Sequence, residues 1–206
     1  MSPHVPIVAI GSSADGVAAL RELVSALPAT LPAAVIIVQH LSPTRRSRLA
    51  WLLGRATDLR VKEAEDGETL LVGTVYVARP GLHLSVADGC VRLASGPKVQ
   101  FSRPSIDVLM TSVAAVCGAR SVGVVLGGAN ADGALGLAAI RKAGGATIVQ
   151  NPAEMRYPQL PRAALALADH PVLSLKEIPA EIRRLADALA KDHGERRQRA
   201  SGASTT

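Results

Sequence analysis

Aromatic residues are nearly absent from the sequence, although aliphatic residues are abundant. Phe, Trp and Tyr make up 2% of the 206 residues, whereas hydrophobic residues make up 48%. A core built from Ala, Val, Leu and Ile suits buried parallel strands packed closely against Ala-rich helices. Base-stacking platforms need exposed rings, and no nucleic-acid reading module is recognisable. Nucleic acid is therefore excluded as a predicted partner.

Cysteine is also scarce, and long apolar runs are missing. The two cysteines, Cys90 and Cys117, do not have the spacing of metal ligands. Their small number predicts a reduced, cytoplasmic protein. No apolar stretch approaches the roughly 20 residues that a membrane-spanning helix needs. The N-terminus lacks a basic segment followed by an apolar run and a cleavage site, so we predict neither a signal peptide nor membrane insertion.

The positive charge is unevenly distributed. The formal net charge is +6, and part of it lies in Arg45, Arg46 and Arg48 and part in residues 191–199. We interpret most of it as a solvated surface, with a disordered basic and polar tail over residues 191–206. The alternative is a basic rim that attracts an acidic partner and speeds their encounter.

Apolar runs and helical periodicities alternate along much of the chain. Short β-branched runs predict buried parallel strands, and apolar positions at helical spacing predict helices that cover them. The predicted strands span 5–10, 34–38, 121–126 and 146–150, and the predicted helices span 16–27, 48–54, 105–117, 133–142, 161–168 and 179–191. This order predicts an α/β fold: a single three-layer domain over residues 1–190, with a mainly parallel central sheet flanked by helices.

The segment from residue 61 to residue 93 has a different pattern. Strand-like pieces at 74–78, 83–86 and 91–93 are separated by the turn dipeptides Pro80-Gly81 and Asp88-Gly89. Turn signals at this spacing are typical of antiparallel hairpins. We therefore predict an antiparallel hairpin region at one edge of the sheet.

A possible nucleophile follows the first strand, where the chain reads Gly11-Ser12-Ser13-Ala14-Asp15. This segment matches the nucleophile elbow G-x-S-x-G except at its last position, and its register puts Ser13 at the tip. The next helix would direct amide groups and the positive end of its dipole at a developing oxyanion. Two other interpretations stay open: a serine that merely caps the helix, and a glycine turn that binds phosphate.

Two further polar residues follow predicted central strands. His40 comes directly after the second strand, where it could act as a general base, and Asp132 comes after the third buried strand. A structural histidine and a helix-capping aspartate are the alternatives. In open parallel sheets the carboxyl ends of the strands meet at one crevice. Because three suitable side chains fall at such ends, we predict a Ser13–His40–Asp132 triad, which is defined by geometry rather than by sequence order.

The motifs around these residues resemble one known family. They are IGSSA at 10–14, VQH at 38–40, RPSIDVL at 103–109, ADGA at 131–134, GG at 144–145, QNPA at 150–153 and LPRAA at 160–164. In this order they resemble the catalytic domain of the bacterial chemotaxis protein-glutamate methylesterases. The resemblance runs from about residue 6 to residue 185, which is nearly the whole predicted domain.

The resemblance implies a specific chemistry. Ser13 would be the nucleophile, His40 the base and Asp132 its partner. The substrate would be a glutamate γ-methyl ester on the cytoplasmic helices of a chemoreceptor, and some members also deamidate receptor glutamines. Backbone amides of Ala14 and Ala129 would hold the oxyanion, with no metal or cofactor. As candidates for contact with the approaching substrate we add Ser12, Arg45, Arg46 and Asn130.

The chain also departs from the family pattern. Asp15 stands where the family usually has glycine, and the loop Gly127-Gly128-Ala129-Asn130 replaces a threonine-or-serine, glycine, methionine, glycine pattern. The sequence begins at the catalytic domain, so we expect regulation to come from outside it, for example from a separate receiver protein. Two alternatives follow: a catalytically weakened domain that binds a signalling partner, for which Asp15 is the main support, and a nucleotide-binding α/β domain.

Overall fold

The computed structural model describes residues 5–41 and 47–202, with side chains described as far as residue 192. The strands are β1 (Ile7–Ser12), β2 (Ala34–Gln39), β3 (Arg60–Glu63), β4 (Thr74–Val77), β5 (His83–Ala87), β6 (Cys90–Ala94), β7 (Ser121–Val125), β8 (Ala146–Gln150) and β9 (Val172–Leu173). The helices are α1 (Gly16–Ser25), α2 (Leu49–Gly54), α3 (Ile106–Cys117), α4 (Ala134–Lys142), α5 (Gln159–Leu167) and α6 (Ile178–Gly202).

Seven strands form one parallel sheet in the order β3-β4-β2-β1-β7-β8-β9. Strand β1 lies at the centre, because its continuous apolar run is buried on both faces. Its last residues pair with the last residues of both neighbours: Gly11 lies opposite Val38 of β2 and Val125 of β7. The loops after β1, β2 and β7 therefore leave the sheet side by side at one edge.

Helices cover both faces of this sheet and complete three layers. One face packs against α3, α4 and α5, whose buried residues include Ile106, Leu109, Leu137, Ile140 and Leu160. The other face packs against α1, α2 and α6, whose buried residues include Leu20, Leu23, Leu53, Ile178 and Ile182. The predicted α/β class is confirmed. None of the described helices combines the length and the apolar character needed to cross a membrane.

The predicted antiparallel hairpin is confirmed for the pieces at 83–86 and 91–93, but it is smaller than predicted and does not join the edge of the parallel sheet. Strands β5 and β6 pair as a separate two-stranded sheet. This sheet packs on α3, where the Val86 amide donates to the Ser112 hydroxyl at 2.9 Å. Residues 74–77, which we grouped with the hairpins, instead form β4 of the parallel sheet, since all four are buried. The short strands β3 and β9 were not predicted, because neither is a buried apolar run.

Helix α6 corrects one prediction. It continues to Gly202, so residues 192–202 are helical rather than a disordered tail. The prediction relied on apolar periodicity, which ends near residue 191. The segment beyond contains no proline and many good helix formers, such as Arg, Glu, Gln and Ala, so the backbone can continue the helix without an apolar face.

Candidate active site

Three side chains that follow different strands form one chain of hydrogen bonds. Ser13 directly follows β1, His40 directly follows β2, and Asp132 lies between β7 and α4. His40 Nδ1 lies 3.0 Å from Ser13 Oγ, and His40 Nε2 lies 2.7 Å from Asp132 Oδ2. The predicted residues are thus brought together at the edge of the sheet where the central strands end.

The turn that carries Ser13 is fixed on several sides. Its amide donates to the Gly127 carbonyl at 2.9 Å, and its carbonyl accepts from the Gln39 side chain at 2.6 Å. Helix α1 begins immediately afterwards at Gly16, where a Cβ atom would clash with Ser12 Oγ and Gln39 Oε1. Glycine is therefore required at position 16. No described hydrogen bond makes Ser12 or Ser13 a cap of α1, so the capping interpretation is wrong.

Asp15 lies at the end of this turn in a left-handed conformation. Its φ is 60°, a region that favours glycine and that aspartate tolerates better than most residues do. The side chain is exposed and makes no capping hydrogen bond to α1. The departure from the family pattern is thus accommodated by the backbone, and it leaves a carboxyl group two residues from Ser13.

The hydrogen bonds determine which ring nitrogen of His40 carries a proton. Asp132 Oδ2 can only accept when it is ionised, so Nε2 must donate to it. This leaves the Nδ1 lone pair facing the Ser13 hydroxyl. The ring is 15% exposed, and the His40 backbone amide donates to the Ser12 carbonyl at 3.1 Å. His40 is therefore in position to take a proton from Ser13.

Asp132 is fully buried and accepts four hydrogen bonds. Oδ1 accepts from Ser105 Oγ at 2.6 Å and from the Asp107 amide at 3.1 Å. Oδ2 accepts from His40 Nε2 at 2.7 Å and from the Ile106 amide at 2.9 Å. Burial by itself would raise the pKa of Asp132, but these hydrogen bonds outweigh it and hold the pKa below its ordinary value. The carboxylate stays ionised beside His40.

Helices α3 and α4 cap one another through two aspartates. Asp132 lies just before α4 but binds the first amides of α3, so our alternative that it caps α4 is wrong. Asp107, in the first turn of α3, accepts from the amides of Gly133 and Gly136 at 2.9 and 2.7 Å. Burial raises the pKa of Asp107, and the nearby charge of Asp132 adds to this, while the amide hydrogen bonds oppose it. Asp132 thus positions the start of α3, which carries Asp107, and Asp107 positions the start of α4, which directly follows the loop of Asp132.

Sequence reasoning did not identify Ser105 and Asp107 as site residues. Both lie in the RPSIDVL motif, but nothing local shows that they face a loop 25 to 29 residues further along the chain. Ser105 also caps α3 by accepting from the Val108 amide at 3.3 Å. The available signal was a serine and an aspartate at the start of a predicted helix. These residues are common at helix starts that lie far from any functional site.

Two cavities flank the Ser13–His40 pair. One, of about 110 Å³, is lined by His40, Leu41, Lys98, Phe101, Ser102, Arg103 and Pro104. The other, of about 300 Å³, has walls that include Ala14, Asp15, Gly127, Glu154, Arg156 and Tyr157. The smaller cavity has two basic side chains and no acidic one along its described walls, whereas the walls of the larger include the carboxylates of Asp15, Glu22 and Glu154 beside one arginine. The surroundings of the site are therefore electrostatically asymmetric.

The remaining predicted residues have different outcomes. Ser12 is fully buried, so its predicted contact with an approaching substrate is wrong. Arg45 and Arg46 lie outside the described residues. Asn130 is half-buried, with its Nδ2 atom 3.4 Å from Ser102 Oγ. Among the described hydrogen bonds, none uses the amide of Ala14 or Ala129 as donor.

The two cysteines and the metal-ligating residue types are further candidates for site residues in the described part of the chain. Burial raises the pKa of Cys117 to about 12, so its thiol stays protonated. Cys90 and Cys117 are both free cysteines. Among the side chains of residues 5–41 and 47–192, no group of three or more His, Cys, Asp or Glu has an arrangement that could hold a metal ion.

Comparison with known proteins gives one consistent result. The CheB methylesterase family profile matches residues 8–182. FrzG, a protein-glutamate methylesterase of Myxococcus xanthus, is 40% identical over 187 residues, which are 90% of this chain and 56% of FrzG. A protein-glutamate methylesterase/protein-glutamine glutaminase of Pectobacterium atrosepticum is 42% identical over 174 residues, which are 80% of this chain and 49% of that protein.

A solved structure gives the same result for the fold. The crystal structure of the Thermotoga maritima CheB methylesterase catalytic domain superposes with a TM-score of 0.82 and 32% sequence identity. The match covers 88% of this chain and 98% of that domain. The chain thus corresponds to one domain of that kind, and it spans about half the length of FrzG and of the Pectobacterium protein.

Proposed function

Because the chain belongs to the CheB methylesterase family, we propose that it is a serine hydrolase that removes methyl groups from glutamate γ-methyl esters of chemoreceptors. The observation that carries this proposal is the hydrogen-bonded chain from Ser13 through His40 to Asp132. A hydroxyl, an imidazole and a buried carboxylate in this order are the components of a serine esterase.

The first step follows from the tautomer of His40, whose Nε2 carries the proton and whose Nδ1 lone pair faces Ser13. Ser13 Oγ attacks the ester carbonyl carbon while its proton passes to His40 Nδ1. The imidazolium formed in this way keeps its Nε2–H on Asp132, whose negative charge stabilises it. Asp132 need not accept the proton, because its lowered pKa keeps it ionised. A tetrahedral intermediate with one oxyanion results.

Two backbone amides are proposed to hold this oxyanion. The amides of Ala14 and Ala129 belong to the loops after β1 and β7, and the Ser13 amide joins these loops by donating to the Gly127 carbonyl. Neither amide has an acceptor among the described hydrogen bonds, which agrees with a role as donors to substrate oxygen. Removal of one such donor typically lowers the rate by about 10²- to 10³-fold.

The second half of the reaction reverses the proton path. His40 gives its proton to the leaving oxygen, and the bond between that oxygen and the carbonyl carbon breaks. Methanol is released, and an ester between Ser13 and the glutamate side chain remains. Water then attacks this ester, with His40 as base, and regenerates Ser13 and a free glutamate carboxylate. The same steps acting on a glutamine side chain would release ammonia, so deamidation belongs to the proposal as well.

The proposal is tested with the wild-type protein and two readouts. A fluorophosphonate probe is expected to label the protein, and methylated chemoreceptor membranes are expected to release methanol when it is added. If the folded protein shows neither reaction, the proposal is wrong, and the alternative of a binding domain with weakened catalysis is preferred. A thermal-shift screen with nucleotides addresses the remaining alternative.

The charge of Asp15 is expected to slow the reaction slightly. Asp15→Asn keeps a residue that tolerates the left-handed conformation but removes the negative charge near the developing oxyanion. We expect kcat/KM for p-nitrophenyl acetate to rise about two- to fivefold at low ionic strength, corresponding to a screened interaction of about 0.5–1 kcal/mol. Raising the salt concentration should remove the difference, and a change that persists at high salt would contradict an electrostatic origin.

A further inference from the structure

A tight turn beside His40 has an unusual backbone. Val99 and Ser102 exchange both of their backbone hydrogen bonds, at 3.1 and 2.8 Å, and so close a two-residue hairpin turn. Its central residues, Gln100 and Phe101, have φ values of 44° and 64°. Positive φ at both positions defines a type I′ turn, which normally uses Asn, Asp or Gly. Gln and Phe are poor residues for this conformation, so it must be maintained by interactions outside the turn.

Gln100 and Ser102 provide these interactions. The Gln100 side chain donates to Asp107 Oδ2, and Asp107 in turn binds the amides of Gly133 and Gly136. On the other side, Asn130 Nδ2 lies 3.4 Å from Ser102 Oγ. The turn is thus joined, through Asp107 and Asn130, to the segment that carries Asp132.

The Phe101 side chain is not buried against the rest of the described protein. Its side chain is 94% exposed at the tip of the turn, although burial of a phenylalanine is normally favourable. It is the sole phenylalanine of the sequence. An exposed aromatic ring on a strained, well-anchored turn is suited to a binding contact. The turn is already ordered, so binding a partner costs little further conformational entropy.

The location of Phe101 indicates what it binds. With His40 it lines the smaller cavity, whose walls also include Lys98 and Arg103 and, among the described residues, no carboxylate. A partner that brings its reacting group to His40 through this cavity would meet an apolar ring and two basic side chains on its walls. A helix with an apolar side chain near the esterified glutamate and acidic residues around it has the matching chemistry.

We propose that Phe101 is a specificity-determining residue that packs against an apolar side chain of the substrate helix next to the methyl-esterified glutamate. This inference rests on the proposed function, since it concerns how the same site selects its substrate. In this proposal Phe101 contacts the receptor segment and not the reacting atoms. Its contribution belongs to binding of the receptor segment, so its loss should raise KM more than it lowers kcat.

The test compares a receptor substrate with a small probe. For each variant, kcat/KM for methanol release from methylated receptor membranes is divided by the rate of fluorophosphonate labelling. In Phe101→Ala we expect this ratio to fall about tenfold, through a higher KM, and in Phe101→Leu to recover in part. The ratio for Phe101→Gly should fall as far as the ratio for Phe101→Ala. Glycine suits the positive φ, so this variant guards against misfolding of the turn.

A matched control is available at the opposite edge of the sheet. Leu71 is 51% exposed and precedes β4, so it is far from the carboxyl ends of the strands. Leu71→Ala should keep the wild-type ratio. The inference is overturned if the Phe101 variants also keep it, or if Leu71→Ala loses as much. It is likewise overturned if the Phe101 variants only convert a dimer into a monomer in sedimentation experiments.

Failure of the inference can be distinguished from failure of the proposed function. If the wild-type protein releases methanol and the Phe101 variants have the wild-type ratio, only the inference is wrong. If the wild-type protein is labelled by the probe but releases no methanol from methylated receptors, the proposed substrate is wrong, and the role of Phe101 is wrong with it.

Discussion

Ser13→Ala is expected to abolish fluorophosphonate labelling and to lower methanol release from methylated receptors by a factor on the order of 10⁴ or more. The reason is that Ser13 Oγ is the hydroxyl that lies 3.0 Å from His40 Nδ1, so its removal leaves no nucleophile in contact with the base. What activity remains would come from water attacking a substrate held by the oxyanion amides. The measurement is a single-turnover methanol assay together with probe labelling on a gel.

The neighbouring serine supplies a matched control. Ser12 is fully buried, and its hydroxyl has no hydrogen-bond partner among the described residues. Ser12→Ala removes the same atom one residue away, so we expect activity within about threefold of wild type and no loss of stability, because no described hydrogen bond is broken. If Ser12→Ala lost labelling while Ser13→Ala retained it, the assignment of the elbow register would be wrong.

Asp132→Asn is expected to lower both activity and stability. The carboxylate accepts all four of its hydrogen bonds, so either orientation of an asparagine directs its NH₂ group at donors. We expect kcat to fall by about 10⁴-fold, because His40 loses the acceptor that fixes its tautomer. The free energy of unfolding should fall by about 2–5 kcal/mol, since buried donors are left without acceptors.

The pH dependence distinguishes this explanation from a general loss of packing. Because the pKa of Asp132 is lowered in the folded protein, the ionised group adds stability above the ordinary aspartate pKa of about 4. That contribution is lost as the pH falls through the lowered pKa. The stability difference between wild type and Asp132→Asn, measured by urea unfolding, should therefore shrink in acid. A difference independent of pH would contradict the role given to the ionised carboxylate.

Ser105→Ala serves as the control for Asp132→Asn. It removes one of the four donors to Asp132 and the cap of α3 but leaves the charge and the contact with His40. The expected cost is about 1 kcal/mol of stability, as for other helix caps. Its activity should stay far above that of Asp132→Asn. Equal losses in the two variants would show that the hydrogen bond from Ser105, rather than the carboxylate itself, supports His40.

Some parts of the site could be predicted because they depend on local pattern. The apolar run of residues 5–10 followed by Gly11-Ser12-Ser13 indicates a strand that ends in a tight turn. Parallel strands place such ends at one edge, so Ser13 and His40 could be expected to meet. The turn at Gln100-Phe101 could not be predicted in this way, because it contains none of the residues that its geometry normally requires. Its conformation depends on Asp107 and Asn130, which lie elsewhere in the chain.

The amino-acid sequence by itself determined the α/β class and the central buried strands, since both follow from composition and from periodicity along a few neighbouring residues. It also indicated Ser13, His40 and Asp132 as a candidate triad, because each follows a predicted central strand. The tertiary structure decided the rest: that β1 lies between β2 and β7, that His40 turns Nδ1 toward Ser13, and that Asp132 binds the amides of α3. These contacts join residues 25 to 114 positions apart. Their distances are set only when the sheet and helices pack, because no local pattern records which loop faces which.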